Sequence, residues 1–353
     1  MNSIIRQYCI THSSGDDIYL FTLRNEHNTE VMITNYGAII TAFKVSKADG
    51  TTNDIVLGFD KIEDYWSPEY LKQHPWFGAA VGRYANRIKN ASFPLDGKTI
   101  HVSANRGNDQ LHGGYEGFDR KVWQIVSFGH YPCLFLELKY LSADGEEGFP
   151  GNLEVVMRFE LSENDELSYH YRAVTDKPTA VNLTHHSYFN LNNGRGTIHD
   201  HELKINADKI LKQGENLVAT GEYEDVAGTA YDFREFRLIG EGLMQIDEYD
   251  KSYEASKDPV KTTKLVAELR TKEFGICLQV YSTEPVVHFY SGKWIPQVEG
   301  KNEIQYGPFS GLCLETHKHP NAVNIPSFPI TFLRPGEAYY QKTVYKLISY
   351  SSS

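Results

Sequence analysis

Leu134-Phe-Leu-Glu-Leu-Lys-Tyr140 places leucine at every second position, with polar residues entering on the opposite phase. A period of two is the period of a pleated strand, whose successive side chains point to opposite faces. The same alternation recurs in Glu154-Val-Val-Met-Arg-Phe159, in Leu167-Ser-Tyr-His-Tyr-Arg172 and, far upstream, in Asp17-Ile-Tyr-Leu-Phe-Thr-Leu23. Turn signals punctuate these runs: Ala48-Asp-Gly50, Leu95-Asp-Gly97, Ala143-Asp-Gly145 and Asn192-Asn-Gly194. Helical periodicity is scarce, and only Lys61 to Tyr70 reads as a helical turn or two. The pattern predicts an all-β chain folded as a large antiparallel β-sandwich, with one sheet face free to line a cleft.

The chain of 353 residues shows no Pro- or Ser-rich linker and no internal repeat, so residues 1–353 read as a single domain. Residues 349–353, all serine or tyrosine, read as a frayed tail. A hydrophobic share of 41% supplies a substantial core, and 23 tyrosines with 18 phenylalanines favour sheets. The net charge of −11 argues against nucleic acid or an anionic membrane as partner. Four cysteines lack Cys-x-x-Cys spacing, and the amino terminus lacks the apolar run of a signal peptide. Reduced thiols and a cytoplasmic location are the expectation.

Chemistry concentrates in three segments. Asn182-Leu-Thr-His-His-Ser-Tyr-Phe-Asn-Leu191 carries a histidine pair in a β-favouring frame, so His185 and His186 should point to opposite faces. Asn108-Asp-Gln-Leu-His-Gly-Gly114 sets His112 in a glycine turn, and Gly311-Leu-Cys-Leu-Glu-Thr-His317 puts Glu315 on a short apolar strand. Two histidines and a carboxylate suit proton transfer near neutral pH. A glutamate titrates near ~4.3 when free, so Glu315 is expected to be ionised at pH 7. His199/His201 and His317/His319 have the spacing of metal-ligand pairs, but each lies beside a loop signal and reads as solvated. Neither a phosphate-cradling Gly-x-x-x-x-Gly-Lys loop nor a Gly-x-Ser-x-Gly elbow is present.

These segments resemble the aldose 1-epimerases, also called galactose mutarotases. Thr34 to Ile40, Asp54 to Phe59, Gly82-Arg-Tyr-Ala-Asn-Arg-Ile88, Gly228 to Asp232, Ala322-Val-Asn324 and Arg334 to Glu337 resemble further family segments in the family's order. The resemblance covers nearly the whole chain. It implies the galactose mutarotase-like supersandwich and interconversion of the α and β anomers of free hexoses such as galactose and glucose. It further implies Glu315 as general base, His186 as general acid, and His112 as a hydrogen-bonding partner of the sugar near the reacting centre. Arg87 matches a sugar-contacting position, with Asn86 beside it; Arg83 reads as a structural ion-pair partner. Asp250 resembles the aspartate that holds sugar hydroxyls, although Lys251 follows it where the family commonly has histidine. His288 stands where glutamine is usual, a departure that bears on sugar preference and pH profile. No metal or cofactor is expected, and monomer and homodimer are both open. Two rivals remain: an epimerase for a phosphorylated hexose, which would call for a basic cluster, and a non-catalytic sugar-binding module. A glycoside hydrolase would need two carboxyl groups flanking the bond.

Overall fold

Strand forms wherever the sequence alternates. The computed structural model describes residues 2–46, 50–273 and 275–349. Leu134–Ser142, Leu153–Leu161 and Glu166–Thr175 pair in sequence as antiparallel neighbours. They continue through Tyr339–Ser349, Ile276–Ser282 and Lys264–Arg270 in a nine-stranded sheet. A six-stranded sheet is built around Leu312–His317, Val286–Tyr290 and Asp250–Glu254, and a five-stranded sheet gathers the amino-terminal strands from Ser3–Thr11 to Thr52–Asp54.

One hydrophobic cluster joins all three sheets. Met157, Phe159 and Tyr169 of the nine-stranded sheet meet Val287, Phe289 and Leu314 of the six-stranded sheet, with Phe21 and Phe43 from the third. Each such side chain, fully buried, contributes about 1.5–3 kcal/mol from apolar surface removed from water. The residues that alternate with Val287, Phe289 and Leu314 therefore face away from this core. They include His288, Cys313 and Glu315, and that second face lines the cleft.

Turn chemistry follows the sequence. Asp96 and Gly97, at φ +48° and +75°, join Ser92–Leu95 to Lys98–His101, as a two-residue hairpin with both central residues left-handed requires. The helical turns expected between Lys61 and Tyr70 are a 3₁₀ turn, Ile62–Trp66, and a short α-helix, Pro68–Gln73. Ser67 caps the helix by accepting the Tyr70 N–H, with Pro68 in the first turn. Among the described residues no helix is long and apolar enough to cross a membrane. At the carboxyl end Ser349 does not fray: it pairs with Ile276 as the last residue of its strand, because the neighbouring strand begins at that point. The rest of the expected tail, 350–353, and part of the turn at Ala48-Asp-Gly50 lie outside the described residues.

Candidate active site

All seven residues singled out in the sequence line one cleft: Asn86, Arg87, His112, His186, Asp250, His288 and Glu315. The cleft holds about 720 Å³ of free space including its open mouth.

Glu315 sits on the second strand of the six-stranded sheet, opposite His288 on the neighbouring strand. It is only 2% exposed. Oε1 lies 3.5 Å from His186 Nε2, and Oε2 is buried with no hydrogen-bond partner. Burial pushes its carboxyl up to about 7, against the opposing charges of His288 and Arg87. This corrects the expectation of a fully ionised glutamate: a carboxylate here has lost its water without gaining a fixed donor.

His186 occupies a break rather than a strand. The stretch around it forms two two-residue pieces, Thr184–His185 against Ala80–Val81 and Tyr188–Phe189 against Leu312 and Cys313. Between them the His186 N–H donates to the Ala79 carbonyl (2.9 Å), and its own carbonyl accepts from Gly78 (3.0 Å). Its ring stands at 83° to that of His112, with centroids 5.2 Å apart. Burial pushes its imidazole down to about 3. His185, the last residue of its short strand, points the other way. Its ring packs on Tyr169 and Phe159, with Nδ1 3.1 Å from Ser187 Oγ and Nε2 3.3 Å from the Ala38 carbonyl.

His112 is held by a reciprocal backbone arrangement. Its N–H donates to the Asn86 carbonyl (3.0 Å), and the Asn86 N–H donates to its Nδ1 (3.3 Å). A backbone N–H can only donate, so neutral His112 carries its proton on Nε2. Burial, with the charges of His186 and Arg87, keeps the ring well below its usual range and hence neutral. Gly113 makes the turn possible: a Cβ there would lie 2.0 Å from the Gly82 carbonyl oxygen. Strain collects around this spot, since Trp76, Asn86, His112 and Leu217 all have φ between +51° and +60°.

Arg87 is 8% exposed, and no described residue accepts a hydrogen bond from its guanidinium. Burial lowers its pKa, while Asp250 supports the charge. Asn86 commits Oδ1 to the Arg87 N–H (2.9 Å), so much of its role is to shape this turn. Asp250 accepts from His288 Nε2 at 2.9 Å, and Ser252 Oγ lies 2.9 Å from His288 Nδ1. Burial raises the Asp250 carboxyl, but the His288 hydrogen bond and the charges of His288, Arg87 and Lys251 outweigh it and leave the group below its ordinary value. The neighbouring acidic residues Asp247 and Glu248 do not line the cleft; the Asp247 side chain is 95% exposed and faces Lys293.

Several sequence expectations need correction. Arg83 is structural, but it forms no ion pair among the described residues: its guanidinium donates to the Ser142, Ala143 and Pro150 carbonyls and to two hydroxyls. Only His199 of the four presumed loop histidines is exposed; His201, His317 and His319 are fully buried. His201 Nε2 accepts the Leu191 N–H (2.9 Å), His317 Nδ1 donates to the Lys318 carbonyl (2.6 Å), and His319 lies 3.3 Å from Glu254. Among the described residues, the cluster with metal-ligand spacing is instead His112, His186 and Glu315, whose ligand atoms lie within 4.8 Å of one another. The fit is poor. Histidine ligands ordinarily donate their second ring N–H to an acceptor, whereas His112 Nδ1 is taken by a donor, which leaves a proton on the nitrogen that would bind metal.

The sequence reading missed Trp76, Tyr290, Arg106 and Trp294, which line the cleft from loops or strand ends. Trp76 stacks on His74 and lies 4.8 Å from the His112 ring. Pro75 and Gly78 marked its segment as a loop, but no local pattern tied it to the cleft.

The family profile for aldose 1-epimerase matches residues 19–346. Galactose mutarotase from Sus scrofa is 40% identical over 337 residues, covering 94% of each chain. Aldose 1-epimerase from Escherichia coli is 36% identical over 346 residues, covering 95% of this chain and 96% of its own. The crystal structure of an aldose epimerase homologue from C. elegans superimposes with a TM-score of 0.85 at 26% identity, covering 98% of this chain and all of that one. On fold, site and sequence together, the chain belongs to the aldose 1-epimerase family.

Proposed function

We propose that this chain interconverts the α and β anomers of free hexoses such as galactose and glucose, with Glu315 as base and His186 as acid. Opening the hemiacetal removes the proton on the anomeric hydroxyl and delivers one to the ring oxygen. Rotation about C1–C2 and closure on the other face reverse both transfers. The observation that carries this reading is the buried approach of Glu315 Oε1 to His186 Nε2 at 3.5 Å.

Burial drives both groups toward their neutral forms, so the resting pair holds one proton, on Glu315. The reactive form has the same proton on His186. At 3.5 Å the resulting charges attract by about 5 kcal/mol at an effective dielectric near 20. Moving the proton from Glu315, raised to about 7, to His186, lowered to about 3, costs roughly 5 kcal/mol. Attraction and burial nearly cancel, so sugar hydroxyls bonding to the carboxylate suffice to select the ion pair. After ring opening Glu315 holds the O1 proton and His186 is neutral, which is the resting charge state. His112 offers its fixed Nε2–H beside this pair, and Arg87 offers free donors to neighbouring hydroxyls. Asp250, oriented by His288, supplies an acceptor.

The chain works without cofactor or metal as one catalytic unit in the cytoplasm, with the family match across residues 19–346 supporting a single unit. The phosphorylated-hexose reading gains one observation: exposed Arg106 joins Arg87 at the cleft. Asp250 beside Arg87 opposes a phosphate there. Polarimetry of fresh α-D-galactose, α-D-glucose and α-D-glucose 6-phosphate tests all three readings. Free hexoses should equilibrate faster with the protein, with kcat/KM at least tenfold above the phosphate ester. The reverse order would make it a hexose-phosphate epimerase, and binding without acceleration would make it a sugar-binding module.

A further inference from the structure

Cys313 is fully buried on the cleft face of the strand that carries Glu315, and its Sγ lies 3.4 Å from His186 Nδ1. Alternation makes this placement unavoidable. Residues 313 and 315 share a face, so one strand presents both the carboxyl facing Nε2 and the sulfur facing Nδ1 of the same imidazole. We propose that Cys313 is a positioning residue whose sulfur accepts the Nδ1–H of His186, leaving Nε2 as the nitrogen that takes and returns the catalytic proton. The inference rests on the acid role of His186 given above.

The backbone contacts to Gly78 and Ala79 fix where His186 starts but not which ring nitrogen carries hydrogen. In a neutral imidazole that choice follows the hydrogen bond made by the other nitrogen. An Nε2–H tautomer could not collect a proton from Glu315, because its lone pair would face the sulfur. A thiol has the further property of accepting weakly. It orients the ring while adding little stability to the imidazolium, so His186 remains a strong acid. A carboxylate or carbonyl at the same place would hold the charged form more tightly. Tyr188 approaches the same sulfur and flanks the His186 ring at 5.0 Å, closing the far side.

The test combines ¹⁵N-histidine NMR of the intact protein with polarimetry. In the wild type at pH 8 the His186 ring should give the shift pattern of an Nδ1–H tautomer. Cys313→Ala should mix the tautomers and lower kcat three- to tenfold with KM unchanged within twofold, the size of one neutral hydrogen bond. Cys313→Ser should restore kcat and move the alkaline limb of the pH profile upward, because oxygen accepts better than sulfur. An Nε2–H tautomer in the wild type, or full kcat in a folded Cys313→Ala, would overturn the proposal. Should Cys313→Ala misfold, the wild-type spectrum decides alone. If His186→Asn keeps its turnover, the acid role fails by a separate route, whatever tautomer the spectrum shows.

Discussion

Arg83 and Arg87 sit four residues apart in one segment, both buried, and the fold treats them in opposite ways. The Arg83 guanidinium makes five hydrogen bonds, at 2.7–3.4 Å, to the carbonyls and hydroxyls of three other segments. Arg87 makes none with the described chain and faces the cleft. The same contrast separates Lys301, which meets Asp54 at 2.6 Å and the Thr41 carbonyl at 2.8 Å, from Glu315, whose Oε2 has no partner. A buried charge costs several kcal/mol unless it is matched. Matched charges belong to the scaffold, and unmatched ones that line a cleft await a ligand.

The strongest way to break this distinction is Glu315→Gln. The amide preserves size but cannot accept the O1 proton, so kcat should fall at least ~10²-fold while sugar affinity stays within about tenfold. A variant with more than about a tenth of wild-type turnover removes Glu315 as the base. The neighbouring histidines come next: His186→Asn should lose turnover by two or more orders of magnitude. His185→Asn should lose stability but keep its rate once folded, as judged by circular dichroism and polarimetry. Equal losses in kcat would mean that the pair acts as a unit.

The arginines divide along a different axis. Arg87→Ala should raise KM about ten- to a hundredfold with an unchanged melting profile, as expected for lost charged hydrogen bonds. Arg83→Ala should destabilise the fold by about 3 kcal/mol or more, because buried carbonyls lose their donor. A large KM effect from Arg83→Ala in folded protein would erase the contrast.

The pH profile sharpens the reading of the pair. Glu315 keeps its proton up to about 7, so above that value the pair loses the one proton it shares. At lower pH a second proton is bound, and the carboxylate is no longer available. The profile of kcat/KM should therefore be bell-shaped, with apparent values that belong to the pair rather than to either residue. Its alkaline limb should lie near 7 and fall about tenfold per unit. A rate that climbs through pH 7 to a plateau would show that a free carboxylate suffices.

Glu284 gives the smallest and most discriminating case. Both of its oxygens are buried without partners, and burial pushes it up to about 7, yet it does not line the cleft. Because its folded pKa is raised, its stabilising neutral form is lost as pH rises through about 7. Glu284→Gln should gain roughly 2 kcal/mol of stability at pH 8 relative to its effect at pH 5, read by urea unfolding. Turnover should not change. A loss of activity would mean that unmatched charge outside the cleft also serves the reaction.

Much of this was legible in the chain itself. Period-two alternation in residues 134–140, 154–159 and 167–172 marked the strands Leu134–Ser142, Leu153–Leu161 and Glu166–Thr175. The expected divergence of His185 and His186 holds although His186 lies in a break, and the ordered family segments singled out seven residues that share one cleft. Less legible was the state of those residues. Free-solution values made Glu315 a carboxylate and His186 a readily charged imidazole, whereas burial favours the neutral form of each. The histidines at 201, 317 and 319 read as solvated because loop signals flank them, yet the sheets bury all three.

The division has a physical basis. Strand alternation, turn glycines and residue types are local properties, written in neighbouring positions, and so the sequence alone determined the β architecture, the family and seven of the residues that line the cleft. Desolvation, tautomer and hydrogen-bond satisfaction depend on atoms far away in the chain. Asn86 fixes the proton of His112 across 26 positions, and Cys313 reaches His186 across 127. Only the tertiary structure could decide which buried charges are matched, since that depends on which distant carbonyls, hydroxyls and sulfurs arrive beside them.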